Sequence, residues 1–213
     1  MKIVRIQAEG YGSNCWVLID EQSEEYAIID PSATGEAFLD FIEKRGMKKE
    51  NLKYILLTHG HFDHIFGADE IRDITGAPLC IHKADADFLT DSDKNAYRYF
   101  FREDLVMRPC ERELSDGDVL YLGQEEIKVV STPGHSEGSV CFFVGDVIFT
   151  GDTLFDRSIG RTDLIGGNQA TLEESLRKLV SLNKDYTIYP GHGSVSTISK
   201  QIKFNPYLYG GNL

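Results

Sequence analysis

Five of the six histidines stand just past apolar runs, in short turns that hold glycine or proline. YILLTHGH carries His59 and His61, IKVVSTPGH carries His135, VIFTGD ends in Asp152, and YTIYPGH ends in His192. Asp63 and His64 complete the first group, HGHFDH. Imidazole nitrogens and carboxylate oxygens are ligands for zinc, and also for iron or manganese. His59 and His61 lie two apart, so an extended backbone points both the same way. Gly60 is expected to permit the tight turn that brings Asp63 and His64 round. The pattern predicts two divalent metal ions, zinc foremost, with iron or manganese as alternatives. One is expected to take His59, His61 and His135, the other Asp63, His64 and His192. Asp152, with two oxygens, is placed to bridge them.

Each residue has a plainer reading when taken alone. A lone histidine is usually exposed or a satisfied core group. Asp63 alone reads as an N-cap for a helix at 65–75, and Asp152 alone as a turn residue. The repetition at four run ends outweighs those readings. His82, after PLCIH, does not share the pattern and is expected to take no part.

For these side chains to meet, the runs must be strands of common sense whose ends share one edge. KIVRIQ, CWVLID and YAIID read as strands. Thr34–Arg45 reads as a helix, with Phe38, Leu39, Phe41 and Ile42 at helical spacing and Gly46 as the stop. YILLT is a buried strand, Phe66–Ile74 a helix, and PLCIH a strand again. Residues 84–108 suggest one or two helices. VLYL, IKVVS, VCFFVG and VIFTG return to strand, with DGD at 116–118 and Gly145-Asp146 as hairpin turns. Thr171–Leu182 is a helix, TIYP the last strand, and a short helix follows near 197–204. Two similar halves, each a sheet with outer helices, predict an α/β four-layer αββα sandwich, one domain over residues 1–213. Asp30, in IIDPS, ends a strand near the same edge. It reads either as a partner that fixes a ligand imidazole or as a turn-starting Asp before Pro31. Tyr11 and Asn14 lie in a loop positioned to line the cleft.

The formal net charge is -12, which disfavours nonspecific contact with nucleic acid or anionic membranes. No run approaches the roughly 20 apolar residues of a membrane span. The N-terminal MKIVRIQAEGYGSN lacks the apolar centre of a signal peptide. Cys15, Cys80, Cys110 and Cys141 are scattered without a C-x-x-C pair, which predicts reduced thiols and a cytoplasmic protein. The expected partner is therefore a small molecule, not nucleic acid or membrane.

With these residues the sequence resembles the metallo-β-lactamase superfamily, whose signature H-x-H-x-D-H stands here as His59-Gly60-His61-Phe62-Asp63-His64. TPGH at 132–135, TGDTLF at 150–155 and YPGH at 189–192 extend the resemblance from about Tyr11 to Gly193. It implies the αββα sandwich and a dinuclear site. Within the superfamily the chain looks most like the glyoxalase II type, which hydrolyses glutathione thioesters such as S-D-lactoylglutathione. The family's β-lactamases carry Cys where Asp152 stands, which argues against a β-lactam. SIGRTDLIGGN (158–168) corresponds to a glyoxalase II loop, and the resemblance makes Arg161 the residue that holds a substrate carboxylate. Glyoxalase II proper adds a C-terminal helical region with further basic substrate ligands, which this chain, ending at Leu213, lacks. GRTD also occurs in the family's persulfide dioxygenases, mononuclear iron enzymes, and these are the alternative.

The expected chemistry is attack of a metal-bound hydroxide on the thioester carbonyl, with the metal stabilising the developing oxyanion. Asp63 is placed to guide the proton. The leaving thiolate needs little acid help, because a free thiol has a pKa of about 8.5. A noncatalytic metal module is the rival from another class. Structural zinc sites are closed and usually rich in cysteine, which weighs against it. A nuclease reading lacks any basic patch.

Overall fold

Residues in one strand face two different cores. In β2 (Cys15–Ile19), Cys15 and Val17 enter one apolar cluster, while Trp16 and Leu18 enter another. That is the two-residue period of an extended chain buried on both faces. The computed structural model describes residues 1–6 and 12–208. The first sheet runs β1 (Lys2–Ile6), β2, β3 (Tyr26–Ile29), β4 (Leu52–Leu56), β5 (Leu79–His82) and β6 (Arg112–Leu114), in that spatial order. The second contains β7 (Val119–Leu122), β8 (Glu125–Ser131), β9 (Val140–Val144) and β10 (Val147–Gly151). It continues from β10 through β13 (Thr187–Pro190) to β14 (Ser196–Thr197). A two-stranded ribbon, β11 (Leu154–Phe155) and β12 (Ser158–Ile159), stands apart.

Three apolar clusters separate four layers. Helices α1 (Gly35–Glu43) and α3 (Ala68–Thr75) pack Phe38, Ile42 and Ile71 against the outer face of the first sheet. Leu18, Ile29 and Leu56 meet Leu120, Val129, Phe142 and Phe149 between the sheets. Helices α5 (Gln169–Val180) and α6 (Ile198–Phe204) pack Leu172, Leu176, Leu179 and Ile198 on the second sheet's outer face. The expected αββα sandwich is therefore the fold. Among the described residues no helix is long and apolar enough to cross a membrane.

The common sense of the strands also holds. β13 runs parallel to β10, and β8 and β10 are both antiparallel to β9. β8, β10 and β13 therefore deliver 132–135, Asp152 and 191–192 to the same edge. β4 delivers Thr58 and His59 there from the other sheet, and Val140 donates its amide to the Thr58 carbonyl at 2.8 Å.

Several local expectations need correction. The helix expected at 66–74 is α3, which starts at Ala68 because the Gly67 amide bonds the Pro31 carbonyl, 2.8 Å away, and a separate turn of helix, α2 (Phe62–Ile65), precedes it. Asp63 thus lies inside α2, whose N-cap is His61, and caps no helix at 65–75. Residues 84–108 form a 3-10 helix, Lys83–Leu89, and α4 (Tyr97–Phe101). The DGD turn joins the two sheets and closes no hairpin. The hairpins of the second sheet turn at Gly123 and Gly145, whose φ values of +58° and +54° suit two-residue turns. β6, β11, β12 and β14 are two or three residues long and carry no readable period.

Candidate metal centre

Three of the four turns carry an imidazole tied down by a backbone or hydroxyl contact, and those contacts set the tautomers. Thr58 donates its hydroxyl to Asp30 Oδ2 at 2.7 Å. With its proton so used, the same oxygen faces His59 Nδ1 at 3.1 Å as an acceptor. The His59 proton is therefore on Nδ1, and the Nε2 lone pair points inward. His135 Nδ1 donates to the Arg161 carbonyl at 2.8 Å, which leaves its Nε2 bare. His192 Nδ1 faces the Gly12 carbonyl at 3.1 Å, with the same result. Asp30 Oδ2 lies 3.0 Å from His64 Nδ1, off the hydrogen-bond axis but close enough to favour a proton there. Such carboxylate and carbonyl partners fix ring orientation in metal sites. Asp30 thus lies against the His64 imidazole. It stands there with a left-handed φ of +52°, and the Thr58 amide donates to its Oδ1 at 2.8 Å.

The inward-facing atoms crowd together. His59, His61 and His135 place one nitrogen each within 4.8 Å of one another, as do the donor atoms of Asp63, His64 and His192. Asp152 joins His59 and His64 in a third such group, between the other two. His61 Nδ1 and His135 Nε2 are 2.8 Å apart, and His64 Nε2 and His192 Nε2 are 3.3 Å apart. Two nitrogens on one tetrahedral zinc at ~2.0 Å stand roughly 3.3 Å apart. Among the described residues, His59 Nε2 and Asp152 Oδ1 are buried and make no hydrogen bond. An orphaned buried polar atom costs about 1–3 kcal/mol. A cation between these groups removes that cost, so the donor set fits the expected divalent ions.

The electrostatics agree. Burial, and then the neighbouring histidines, push His59 well below the usual imidazole value. Burial and His135 push His61 down to about 3. Burial also opposes the charge on His64, but Asp63, Asp152 and Asp30 overcome it and hold His64 well above the ordinary range. His192 is raised against burial by Asp63 and Asp152. Asp63 and Asp152 both lie below the usual carboxylate range despite burial, chiefly because His64 stands beside them. Without cations, the carboxylates hold protons on two imidazoles that would otherwise offer lone pairs.

Gly60 does not serve the turn as expected, since its φ is not in the left-handed region. A Cβ at that position would stand 2.4 Å from Phe88 Cβ, so close packing of the 3-10 helix is what excludes one. The same short helix supplies a residue that the sequence reading missed. Asp85, fully buried, accepts hydrogen bonds from the Gly60 amide at 3.0 Å, Ser136 Oγ at 2.6 Å and the Gly138 amide at 2.6 Å. It staples the His59–His61 turn to the turn after His135. Nothing in KADADF distinguishes a buried aspartate from two solvated ones. Asn14 is buried and does not line the cleft; its Nδ2 donates to the Pro190 and Gly193 carbonyls, each at 3.0 Å, so it positions the His192 turn. Tyr11 falls outside the described residues. His82 stays apart from the cluster, where its Nδ1 caps the 3-10 helix by accepting from the Ala84 amide.

A cavity of about 170 Å³ opens over the cluster, walled by Phe62, Ala96, Phe100, Arg161 and Leu164. Arg161 does reach it, but its fork grips Asp163 through bonds of 2.6 and 2.7 Å.

The profile of the metallo-β-lactamase superfamily matches residues 8–192. The chain belongs to that superfamily. The chain is 40% identical to an uncharacterized protein of Mycobacterium leprae, over 92% of this chain and 94% of the relative. It is 34% identical to the hydroxyacylglutathione hydrolase GloC of Haemophilus influenzae, over 98% of each. Of solved superfamily structures, the BLEG-1 B3 metallo-β-lactamase superposes with a TM-score of 0.91 at 32% identity, covering 98% of this chain and all of that one, 100%. ETHE1 from Myxococcus xanthus gives 0.76 at 26% identity, covering 98% of this chain and 84% of that one.

Proposed function

We propose that this chain is a dinuclear metal-dependent hydrolase acting on a small-molecule thioester, with S-D-lactoylglutathione as the reference substrate. The coarser reading, a metal-dependent hydrolase, is supported by the superfamily and by the histidine–aspartate cluster. One observation carries the finer one: seven side chains from four strand ends turn lone pairs inward, and some find no other partner. His59, His61 and His135 would hold one cation, Asp63, His64 and His192 the other, and Asp152 both. Two bound divalent cations would polarise a carbonyl and bring the pKa of water to about 7. The chain's residues do the rest. Phe62, Phe100 and Leu164 wall the mouth and shed water from the scissile bond. Asp63, on the same wall, is placed to take a proton from the attacking water. A thiolate then departs without acid help, because a free thiol has a pKa of about 8.5. Arg161 would meet a substrate carboxylate by exchanging Asp163 for it.

The test joins elemental analysis to thiol release. Two metals per chain with release of glutathione from S-D-lactoylglutathione supports the proposal. The ETHE1 likeness keeps a second reading, a mononuclear iron oxidoreductase acting on persulfides. One iron per chain with oxygen uptake on glutathione persulfide would establish it instead. Hydrolysis of a chromogenic cephalosporin in preference to every thioester would place the chain with BLEG-1. Metal binding without turnover of any substrate would leave a binding module.

A further inference from the structure

A second cavity, of about 400 Å³, adjoins the mouth above the metal ligands, and the two share Ala96 and Leu164 as walls. Tyr99 stands on one side and Ile165 on the other, with 70% and 52% of their surface exposed. Exposed apolar side chains scattered singly mean little, but a contiguous set beside a reaction centre marks a binding surface. The wall they belong to is held in place. Phe62, next to the ligand Asp63, stacks on Phe100 and Tyr97 at 5.5 and 5.7 Å, and Phe100 meets Tyr99 edge-on at 5.1 Å. Arg98 pairs with Asp93 before α4 and Asp104 after it, which clamps the helix at both ends.

Charge decides what this trough can recognise. The arginine that lines it, Arg98, is already committed to Asp93 and Asp104. An anionic group entering here meets no uncommitted guanidinium and faces the Asp93 and Asp163 carboxylates. An apolar chain meets Tyr99, Ile165 and Leu164.

We propose that the trough binds an extended apolar arm of the substrate, so that the preferred thioesters carry a longer apolar chain than lactoyl. This rests on the thioester reading above. A three-carbon hydroxyacyl group is used up within the mouth and leaves the trough to water. The arm can belong to the acyl group or to the thiol carrier; the chemistry recognised is the same.

The experiment uses the metal-loaded, full-length protein and two series of thioesters. One varies the acyl chain from acetyl to octanoyl on glutathione; the other keeps acetyl and varies the thiol from N-acetylcysteamine to octanethiol. A fully buried methylene is worth about fourfold in binding, and a half-open trough should give roughly twofold each in kcat/KM. That slope in the first series assigns the trough to the acyl arm, and in the second to the thiol arm. Ile165→Asp should cut the octanoyl-to-acetyl ratio of kcat/KM about tenfold, while Ile202→Asp, on the outer face of α6, should leave the ratio as it is. Flat slopes in both series, or a slope unmoved by Ile165→Asp, overturn the proposal with the thioester reading intact. If no thioester turns over, that reading fails, and affinities for S-methyl- and S-hexylglutathione decide the trough separately. Tighter S-hexyl binding that Ile165→Asp abolishes supports it, and equal affinities overturn it.

Discussion

Asp152 is the residue on which the two halves of the centre depend, because its carboxylate lies 3.4 Å from His64 and 3.6 Å from both His135 and His192. Asp152→Asn keeps the shape and removes the charge. Metal content should fall from two per chain to one or fewer, with thiol release down by at least about a hundredfold; two retained metals would remove the bridging role. Asp85 acts through backbone. Asp85→Asn must turn an NH₂ toward either the Gly60 and Ser136 donors or the Gly138 amide, at a cost of about 1–3 kcal/mol. The three-histidine group should then bind metal more weakly than the Asp63–His64–His192 group. Titration calorimetry of the apoprotein would show one of two sites weakened, and equal weakening of both would mean a merely structural residue. Arg161 gives a prediction of opposite sign. Asp163 is held down to about 2 by Arg161, so the pair survives throughout ordinary pH. Asp163→Asn should therefore lower KM for glutathione thioesters several-fold, and Arg161→Ala should raise it; no change in either variant would end the anchor assignment.

At the scale of elements, the ligand turns are only as precise as what packs behind them. Gly60→Ala drives a methyl into Phe88, and overpacking of this kind costs about 1–3 kcal/mol. A lower Tm and weaker metal binding are expected, with Phe88→Ala restoring part of both in the double variant; purely additive losses would show that the two positions are uncoupled. This contact also marks where sequence reading stops. The strands and the convergence of the seven side chains were legible because apolar runs, each closed by a ligand-type residue, are local patterns. The αββα order followed from their succession. Asp85, Thr58 and Asn14 were illegible in those roles, since each acts on a segment distant in the chain and its neighbours carry no mark of that. The separate α2 and the ribbon strands were missed for a related reason: the tertiary hydrogen bond from Gly67 to Pro31 sets α2 apart from α3, and pairing between β11 and β12 creates the ribbon. His82 and Gly60 show the converse, where a residue type suited to chemistry serves packing and capping.

For the whole molecule, the centre couples metal content to stability and to pH. In the metal-free protein His59 and His61 are held neutral by burial, His61 down to about 3. The unfolded chain binds protons on them below pH ~6.5 that the folded chain refuses, so stability falls as pH drops from there toward 3. His64 and His192 behave oppositely. Their folded values are raised by Asp63 and Asp152, so their contribution is complete below pH ~6.5 and is lost as pH rises through the raised values. The two pairs together predict a Tm maximum for the metal-free protein near pH ~6.5, with a decline on both sides. Metal loading replaces the protons on His64 and His192 and satisfies His59. The alkaline decline should then disappear and the Tm should rise, by an amount that grows with free metal as the logarithm of its concentration over Kd. Calorimetric scans of chelated and metal-loaded protein from pH 5 to 8.5 would display both curves. A metal-free Tm that rises steadily across that range would mean that the inward carboxylates do not charge His64 and His192, and the tautomers derived from Thr58, Arg161 and Gly12 would be all that orders the unloaded site.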